Sequence, residues 1–486
     1  MMAPRLLVSA AHKSSGKTTV SVGLCAALRA QGLVVQPFKK GPDYIDPMWL
    51  KEAAGRDCFN LDPYLSGREE IEASFAEHAA GADINVVEGN KGLYDGLALD
   101  GSNSNAALAQ MLGLPVLLVI DAQGMTRGIA PLILGYQAFD RNIRIAGVVL
   151  NKLGGSRHEA KLRAVIEHYT DVPVLGALGC EPGLSLTERH LGLMPSAELD
   201  DAAERVQALG RRVAAHVDLQ RVVELARRTE PLPSAPRQYR VPAAQAATPD
   251  RVRIGIARDK AFGFYYPDDL TALRAAGAEL LPFDTLSDSH LPPLDGLFIG
   301  GGFPEVFMAE LQANASLRSE IAAAIDAGLP AYAECGGLMY LARSLTWHGR
   351  TCRMVGAIPG DVTVHERPVG RGYVRLWPTA QHPWPAQAEA TTAAEDRMLG
   401  HEFHYSSLDK LDPGTRFAYR VERGHGIDGH NDGLLHRNLL ASYAHLRSAG
   451  GAGWPARFVA FVRAAGHQPV AAAGRTPLAP ELAAAV

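Results

Sequence analysis

Cysteine is scarce in this sequence and nowhere arranged as a framework: five residues among 486 (Cys25, Cys58, Cys180, Cys335, Cys352), odd in number, far apart and without a CxxC pair. That spacing excludes a disulfide scaffold and offers no zinc cage, and it fits a reducing compartment. Charge of one sign is lacking too. With 48 Lys and Arg against 52 Asp and Glu, there is no basic footprint for a nucleic acid. No apolar run approaches the roughly 18 residues of a membrane helix, and the opening MMAPRLLVSAAHKSSGKTT enters a Gly-Lys loop where a signal peptide would need an apolar core. These absences point to a cytoplasmic protein that binds neither nucleic acid nor membrane.

What is present is ordinary for an enzyme: 47% hydrophobic and 21% charged residues in a chain long enough for more than one core. Residues 228–250 are rich in Pro, Ala and polar side chains without helical or strand periodicity, and read as a linker. Before them, in 1–227, the apolar runs RLLVSA, INVVEG, LPVLLVID and IAGVVLNK alternate with helix-like segments, the pattern of a mostly parallel sheet with crossover helices. After them, in 251–465, the alternation restarts: RVRIGIARD, GLFIGGG and GLPAYAEC read as strands, DLTALRAAGAEL and ASLRSEIAAAIDAG as helices. The expected fold is two α/β domains, with a frayed Ala- and Pro-rich tail at 466–486.

AHKSSGKTT follows the first strand and is close to GxxxxGK[ST], with Ala11 where the first glycine belongs, then Gly16, Lys17 and Thr18. Loop N–H groups and a helix N-terminus would aim partial positive charge at phosphate oxygens, Lys17 would add a full charge, and Thr18 could ligate Mg²⁺. Asp43, Asp46, Glu88 and Asp95 sit just beyond apolar strands, at the edge where open α/β sheets bind ligands. Each alone suits a helix cap or turn, but together they suit a Mg²⁺ ion needing hard oxygen ligands, Glu88 foremost after Thr18. Asn151 ends a strand where its amide could read an adenine edge or cap the next helix.

GLPAYAECGGLMYL reads as strand, sharp turn and helix, an elbow that exposes a nucleophile at Cys335, with Gly336 and Gly337 permitting close approach. A helix N-terminus lowers a thiol pKa. LFIGGGFPE supplies glycine N–H groups for an oxyanion, and His445 follows a strand-like run, as a general base would.

These residues match a family. The amino half resembles the dethiobiotin-synthetase-like ATP-binding domain and the carboxyl half a class I glutamine amidotransferase domain. In this order, with GPDYIDP, EGNKGLYDG, GGGFPE, AECGGLMYL, GHEFHYS and SYAHL, they resemble the cobyrinic acid a,c-diamide synthase family from about residue 5 to about 465. The resemblance implies Cys335 as glutaminase nucleophile, His445 as its base and the backbone of Gly301 and Gly302 as oxyanion hole. It implies ATP on Gly16, Lys17, Thr18, Thr19 and Asn151, and Mg²⁺ on Thr18, Glu88 and Asp43, with Asp43 and Asp46 beside the nucleotide and a tetrapyrrole carboxylate. ATP and glutamine would be co-substrates, and a homodimer is an open expectation. So is a protected route between Cys335 and the phosphate loop.

Three positions depart from the family pattern. His12 stands where related phosphate loops carry a signature lysine, Asp269 where the family usually reads Asn, and Arg447 where it has a second histidine. The Glu two residues beyond the histidine, usual in class I triads, is absent as well, which leaves open what orients His445. Sirohaem, another carboxylated tetrapyrrole, is the alternative substrate and nickel sirohydrochlorin a further one. From a different class, a ParA-like nucleotide switch with a partner-binding second domain would need no aligned thiol, oxyanion cradle and imidazole.

Overall fold

The computed structural model describes residues 4–180, 186, 188–189, 192–229, 251–385, 397–448 and 453–466. The tail expected at 466–486 lies beyond them after residue 466, as does the linker from residue 230 onward. The chain divides into two compact units, one mainly before and one mainly after Pro242.

In the first unit the chain runs β1 (Arg5–Ala10), α1 (Lys17–Ala30), β2 (Val35–Lys40), α2 (Ile45–Ala54), β3 (Phe59–Leu61), α3 (Arg68–Ala79), β4 (Ile84–Glu88) and α4 (Asn105–Leu112). It continues through β5 (Val116–Asp121), α5 (Ile129–Phe139), β6 (Ile145–Leu153), α6 (Ser156–Tyr169) and β7 (Val174–Gly179). A short pair, β8 (Glu188–Arg189) and β9 (Gly192–Leu193), precedes α7 (Ala202–His216) and α8 (Leu219–Arg227). Seven strands form one parallel sheet in the order β3-β2-β4-β1-β5-β6-β7. Successive strand residues point to opposite faces, so β1 sends Leu6, Val8 and Ala10 into one core and Leu7 into the other. The first core is closed by Leu24, Trp49, Leu209 and Val213 from α1, α2 and α7, the second by Phe75, Leu108, Ile133 and Ile166 from α3 to α6. Burial on both faces explains why these strands read as continuous apolar runs.

The second unit runs β10 (Val252–Ala257), β11 (Phe262–Phe264), α9 (Pro267–Ala275), β12 (Ala278–Phe283), β13 (Gly296–Ile299), β14 (Gly301–Gly302), α10 (Met308–Ala313) and α11 (Ala315–Asp326). The elbow segment follows: β15 (Ala331–Glu334) and α12 (Gly336–Leu341). Then come β16 (Ala342–Trp347), β17 (Arg350–Arg353), β18 (Ile358–Val364), β19 (Gly370–Pro378), β20 (Met398–His404), β21 (Ser406–Asp409) and β22 (Arg416–Arg423). The unit closes with β23 (Asn431–His436), β24 (Leu439–Ser442), β25 (His445–Leu446) and α13 (Trp454–Ala464). The main sheet has the order β12-β10-β13-β15-β24-β23-β22-β19-β20-β25. Its first five strands are parallel and hold the elbow; the rest are antiparallel.

Two differences from the sequence expectation have physical causes. The helix expected over DLTALRAAGAEL ends at Ala275, because Gly277 takes φ +99° and turns the chain into β12. The antiparallel half departs from a restarted βα alternation. Its strands bury alternate residues, as Val374 and Leu376 do in β19 against the more exposed Tyr373 and Arg375, and such half-solvated strands lack the apolar runs of a parallel sheet.

Candidate active site

The phosphate loop spans the turn from β1 into α1. Gly16 caps α1 at φ +84°, and a Cβ there would come within 2.1 Å of the Asn151 side-chain nitrogen. Asn151 Nδ2 donates to the Ser15 carbonyl at 2.9 Å, and Lys152 Nζ to the Ser14 carbonyl at 2.8 Å. The Ser15 hydroxyl donates to the His12 carbonyl at 2.8 Å, and Tyr136 donates to Ala11 O. The loop is thus held from β6 and α5 as well as by its own turn. Asn151 lies inside β6 and does not cap α6, whose N-cap is Gly155. His12, at the signature-lysine position, is exposed and turned to the Lys13 carbonyl.

Lys17, Thr18 and Thr19 open α1, Lys17 buried and the threonines half-buried. Thr18 Oγ1 donates to Glu88 Oε1 at 2.7 Å and lies 3.3 Å from Asp46 Oδ2. Asp43 is placed otherwise: its Oδ1 accepts the Ile45 and Asp46 N–H groups at 3.0 and 3.1 Å and caps the first turn of α2. The oxygens within hydrogen-bond distance of Thr18 are those of Asp46 and Glu88, while Asp43 stands at the edge of the cluster, 3.8 Å from Lys39 Nζ. Asp95 is not part of it; Asp95 Oδ2 accepts from Gly92 N at 2.9 Å and closes a turn.

Lys39, which the sequence reading passed over, fills the middle of this cluster. Its Nζ donates to Glu88 Oε1 at 3.0 Å and to Asp46 Oδ2, 3.8 Å from Asp43 Oδ2. Burial alone would push Lys39 down, but Asp46, Glu88 and Asp43 together raise it well above the usual lysine value. It stays charged. Lys17 is lowered by burial and by the Lys39 charge beside it. Burial pushes Glu88 up, while Asp46 is held down against its burial by Lys39. Burial and the neighbouring Asp46 raise Asp43 to about 7. Among the described residues no three His, Cys, Asp or Glu side chains converge as a metal centre would. A cation here would draw on one hydroxyl and two carboxylates, hard oxygens suited to Mg²⁺. Glu88 Oε2 is buried without a hydrogen-bond partner, an oxygen that such an ion would satisfy.

In the second unit Cys335 sits between β15 and α12 at φ +47°, ψ −101°. A non-glycine residue held there is strained, and the surroundings over-determine it: Cys335 N donates to Ser442 O at 2.8 Å and its carbonyl accepts from Met339 N at 3.0 Å. Gly301 and Gly302 form β14 against β11, with Gly302 paired to Phe262. A Cβ on Gly302 would lie 1.9 Å from the Ala261 carbonyl oxygen, and one on Gly301 2.6 Å from His445 Cε1. Gly302→Ala is therefore expected to destabilise the chain by about 1–3 kcal/mol, since backbone must move to admit the methyl. Denaturant unfolding measures it, and an unchanged midpoint would contradict so close an approach.

His445 opens β25, opposite His401 in β20. Its imidazole is buried, hydrogen-bonds Cys335, and places Nδ1 3.3 Å from Glu334 Oε2. Burial alone would lower its pKa; the bonds to Cys335 and Glu334 carry it up to about 10. His401 stacks on it with centroids 4.9 Å apart and is pushed well below the usual histidine range by burial and by the His445 and Arg447 charges. The turn that carries His445 hangs on Asp432. Its carboxylate accepts the Ser442 hydroxyl at 2.7 Å and the Tyr443 and Ala444 N–H groups at 3.0 Å. Asp269 accepts the Ser448 N–H at 2.6 Å and is raised to about 7 by burial.

The sequence reading missed Glu334, Asp432 and Lys39. Glu334 carried one signal, a charged residue at the carboxyl end of an otherwise apolar strand, and Lys39 a weaker one, its place near the carboxyl end of β2. Asp432 carried none.

Comparison with known proteins covers nearly the whole chain. Residues 4–187 match the model of an AAA domain and residues 253–452 that of the CobB/CobQ-like glutamine amidotransferase domain. The chain is 47% identical over 469 residues to the cobyrinate a,c-diamide synthase of Magnetococcus marinus, covering 95% of this chain and 98% of that one. It is 43% identical to the enzyme of the same name from Methanosarcina acetivorans, over 91% of this chain and 92% of the other. Against that of Listeria innocua it is 38% identical, over 91% and 96%. No helix among the described residues is long and apolar enough to cross a membrane.

Proposed function

The chain belongs to the cobyrinate a,c-diamide synthase family, and on that premise we propose that it amidates the a and c acetates of a cobyrinic or hydrogenobyrinic acid, with ATP and glutamine as co-substrates. The observation that carries the reading is that one chain holds both a thiol paired with an imidazole and a lysine-bearing phosphate loop facing two carboxylates.

The chemistry requires both. A carboxylate resists attack by an amine until one oxygen becomes a leaving group. In the proposed first half, a substrate carboxylate oxygen attacks the γ-phosphorus of ATP, the bond to the β-phosphate oxygen breaks, and ADP leaves an acyl phosphate. Lys17 and the loop N–H groups neutralise charge on the transferring phosphoryl group. Lys39 holds Asp46 and Glu88 in place. Mg²⁺, bound by Thr18, Asp46 and Glu88, would supply further charge neutralisation at the phosphates.

In the second half, Cys335 thiolate attacks the glutamine side-chain carbonyl, and the backbone at Gly301 and Gly302 receives the oxyanion. The C–N bond breaks as His445 gives its proton to the departing ammonia, and water cleaves the thioester to glutamate. Ammonia then attacks the acyl phosphate, releasing phosphate and forming the amide. Ammonium has no lone pair to attack with, so the amine must reach the acyl phosphate unprotonated.

Incubation with hydrogenobyrinic acid, cobyrinic acid and sirohaem, followed by mass spectrometry, tests the substrate assignment. Two amides added to a corrin precursor is the expected result. Amidation of sirohaem alone would reassign the enzyme to that tetrapyrrole.

A further inference from the structure

Class I amidotransferases place a carboxylate two residues beyond the histidine, and here that position is Arg447. The structure supplies a carboxylate from another direction. Glu334 is the last residue of β15, immediately before the nucleophile, and both of its oxygens are engaged on the His445 segment. Oε2 lies 3.3 Å from His445 Nδ1, while Oε1 accepts the Leu446 N–H at 3.0 Å and the Tyr332 hydroxyl at 2.7 Å. Glu334 and His445 are each only 3% exposed. The Nδ1 contact is at the long end for a hydrogen bond.

From this geometry, and resting on the glutaminase reading above, we infer that Glu334 is the positioning residue that fixes the tautomer and orientation of His445, in place of a carboxylate downstream of the histidine. One carboxylate grips the imidazole on Nδ1 and the next residue's backbone, which removes the freedom of the ring to turn. Nδ1 then carries a proton and the remaining ring nitrogen is left for the thiol, the division of roles that a third triad member provides. The arrangement also links the two reacting groups. Glu334 pairs with Ser442 across β15 and β24, and Cys335 N bonds Ser442 O, so nucleophile and base are held by the same pair of strands.

Other described groups near His445 differ from Glu334 in kind or are engaged elsewhere. His401 stacks on the ring and is kept neutral by burial and by the His445 charge, Arg447 is a cation, and Gly301 has no side chain to offer at Cε1. Asp269 is engaged with Ser448 N, Asp432 with the Tyr443 turn, and Tyr332 with Glu334 itself. Tyr443, close enough to be raised by Cys335, receives the Ser406 hydroxyl.

A purely structural role would give Glu334 only the Tyr332 and Leu446 bonds. Glu334→Gln separates the roles, because an amide oxygen can still accept both while the charge facing Nδ1 is lost. Using the full chain, two readouts are followed from pH 5.5 to 10: glutaminase kinetics and the rate of Cys335 alkylation by iodoacetamide, the latter by mass spectrometry. In Glu334→Gln, kcat is expected to fall about 100-fold or more with KM for glutamine little changed. The alkylation midpoint should move up, while ammonia-dependent amidation continues. Glu334→Asp should keep the wild-type midpoint at a reduced rate. An unshifted midpoint in Glu334→Gln overturns the inference. If that variant fails to fold, as loss of ammonia-dependent amidation would reveal, an Asp variant whose midpoint moves up overturns it instead. Failure of the wild type to hydrolyse glutamine at all would sink the glutaminase reading, a separate result.

Discussion

Cys335→Ala is expected to lose glutamine-dependent amidation by at least about 1000-fold, because removing a nucleophile that acts as a unit with its base leaves only binding and oxyanion stabilisation. The same variant should still amidate with free ammonia at alkaline pH, where the unprotonated amine is abundant. Two features of the structure set this expectation. The thiol sits at a strained elbow, φ +47°, with backbone bonds to Ser442 and Met339 that do not involve its side chain, so alanine can occupy the position without loosening the turn. The first unit has its own sheet and cores, built entirely from residues before the linker region. Steady-state rates with glutamine and with ammonium chloride measure the split. Loss of both activities in a folded variant would place Cys335 in the ligase step and contradict the assignment.

Lys17→Ala should produce the complementary loss. Lys17 is buried at the start of α1 beside a loop braced by Asn151, Lys152 and Tyr136, and no neighbour can take over its position. Lys39 is a cation close enough to act on Lys17, and its bonds to Asp46 and Glu88 hold it where it is. Amidation with either nitrogen source is expected to fall about 100- to 1000-fold, the scale for removing one group that stabilises charge in a transition state. Basal glutamine hydrolysis should persist, since Glu334 and His401, which hold the His445 segment, belong to the same unit as Cys335. A variant that still amidates at the wild-type rate would show that the phosphate loop does not carry the activation step.

The two motifs that could be read from the sequence are local. AHKSSGKTT and AECGG each encode a strand, a turn and a helix start within about a dozen residues, and the structure forms them where the pattern places them. What could not be read depends on residues far apart in the chain. Glu334 meets His445 across 111 positions and Lys39 meets Glu88 across 49. A search for a carboxylate just beyond the histidine finds Arg447 and stops. The different places of Asp43 and Asp46 were hidden for a subtler reason: both follow β2, and only the turn decides which one caps α2 and which one faces Thr18. The antiparallel strands were hidden because half-buried strands alternate instead of forming apolar runs.

The claim on which the rest depends is that the nitrogen freed at Cys335 is the nitrogen that attacks the acyl phosphate. Supplying glutamine labelled with ¹⁵N in its side-chain amide, in the presence of excess unlabelled ammonium near neutral pH, tests it directly by the isotope content of the amidated product. The account expects product amides that carry almost entirely ¹⁵N. Product amides with the isotope ratio of the surrounding ammonium pool would contradict it.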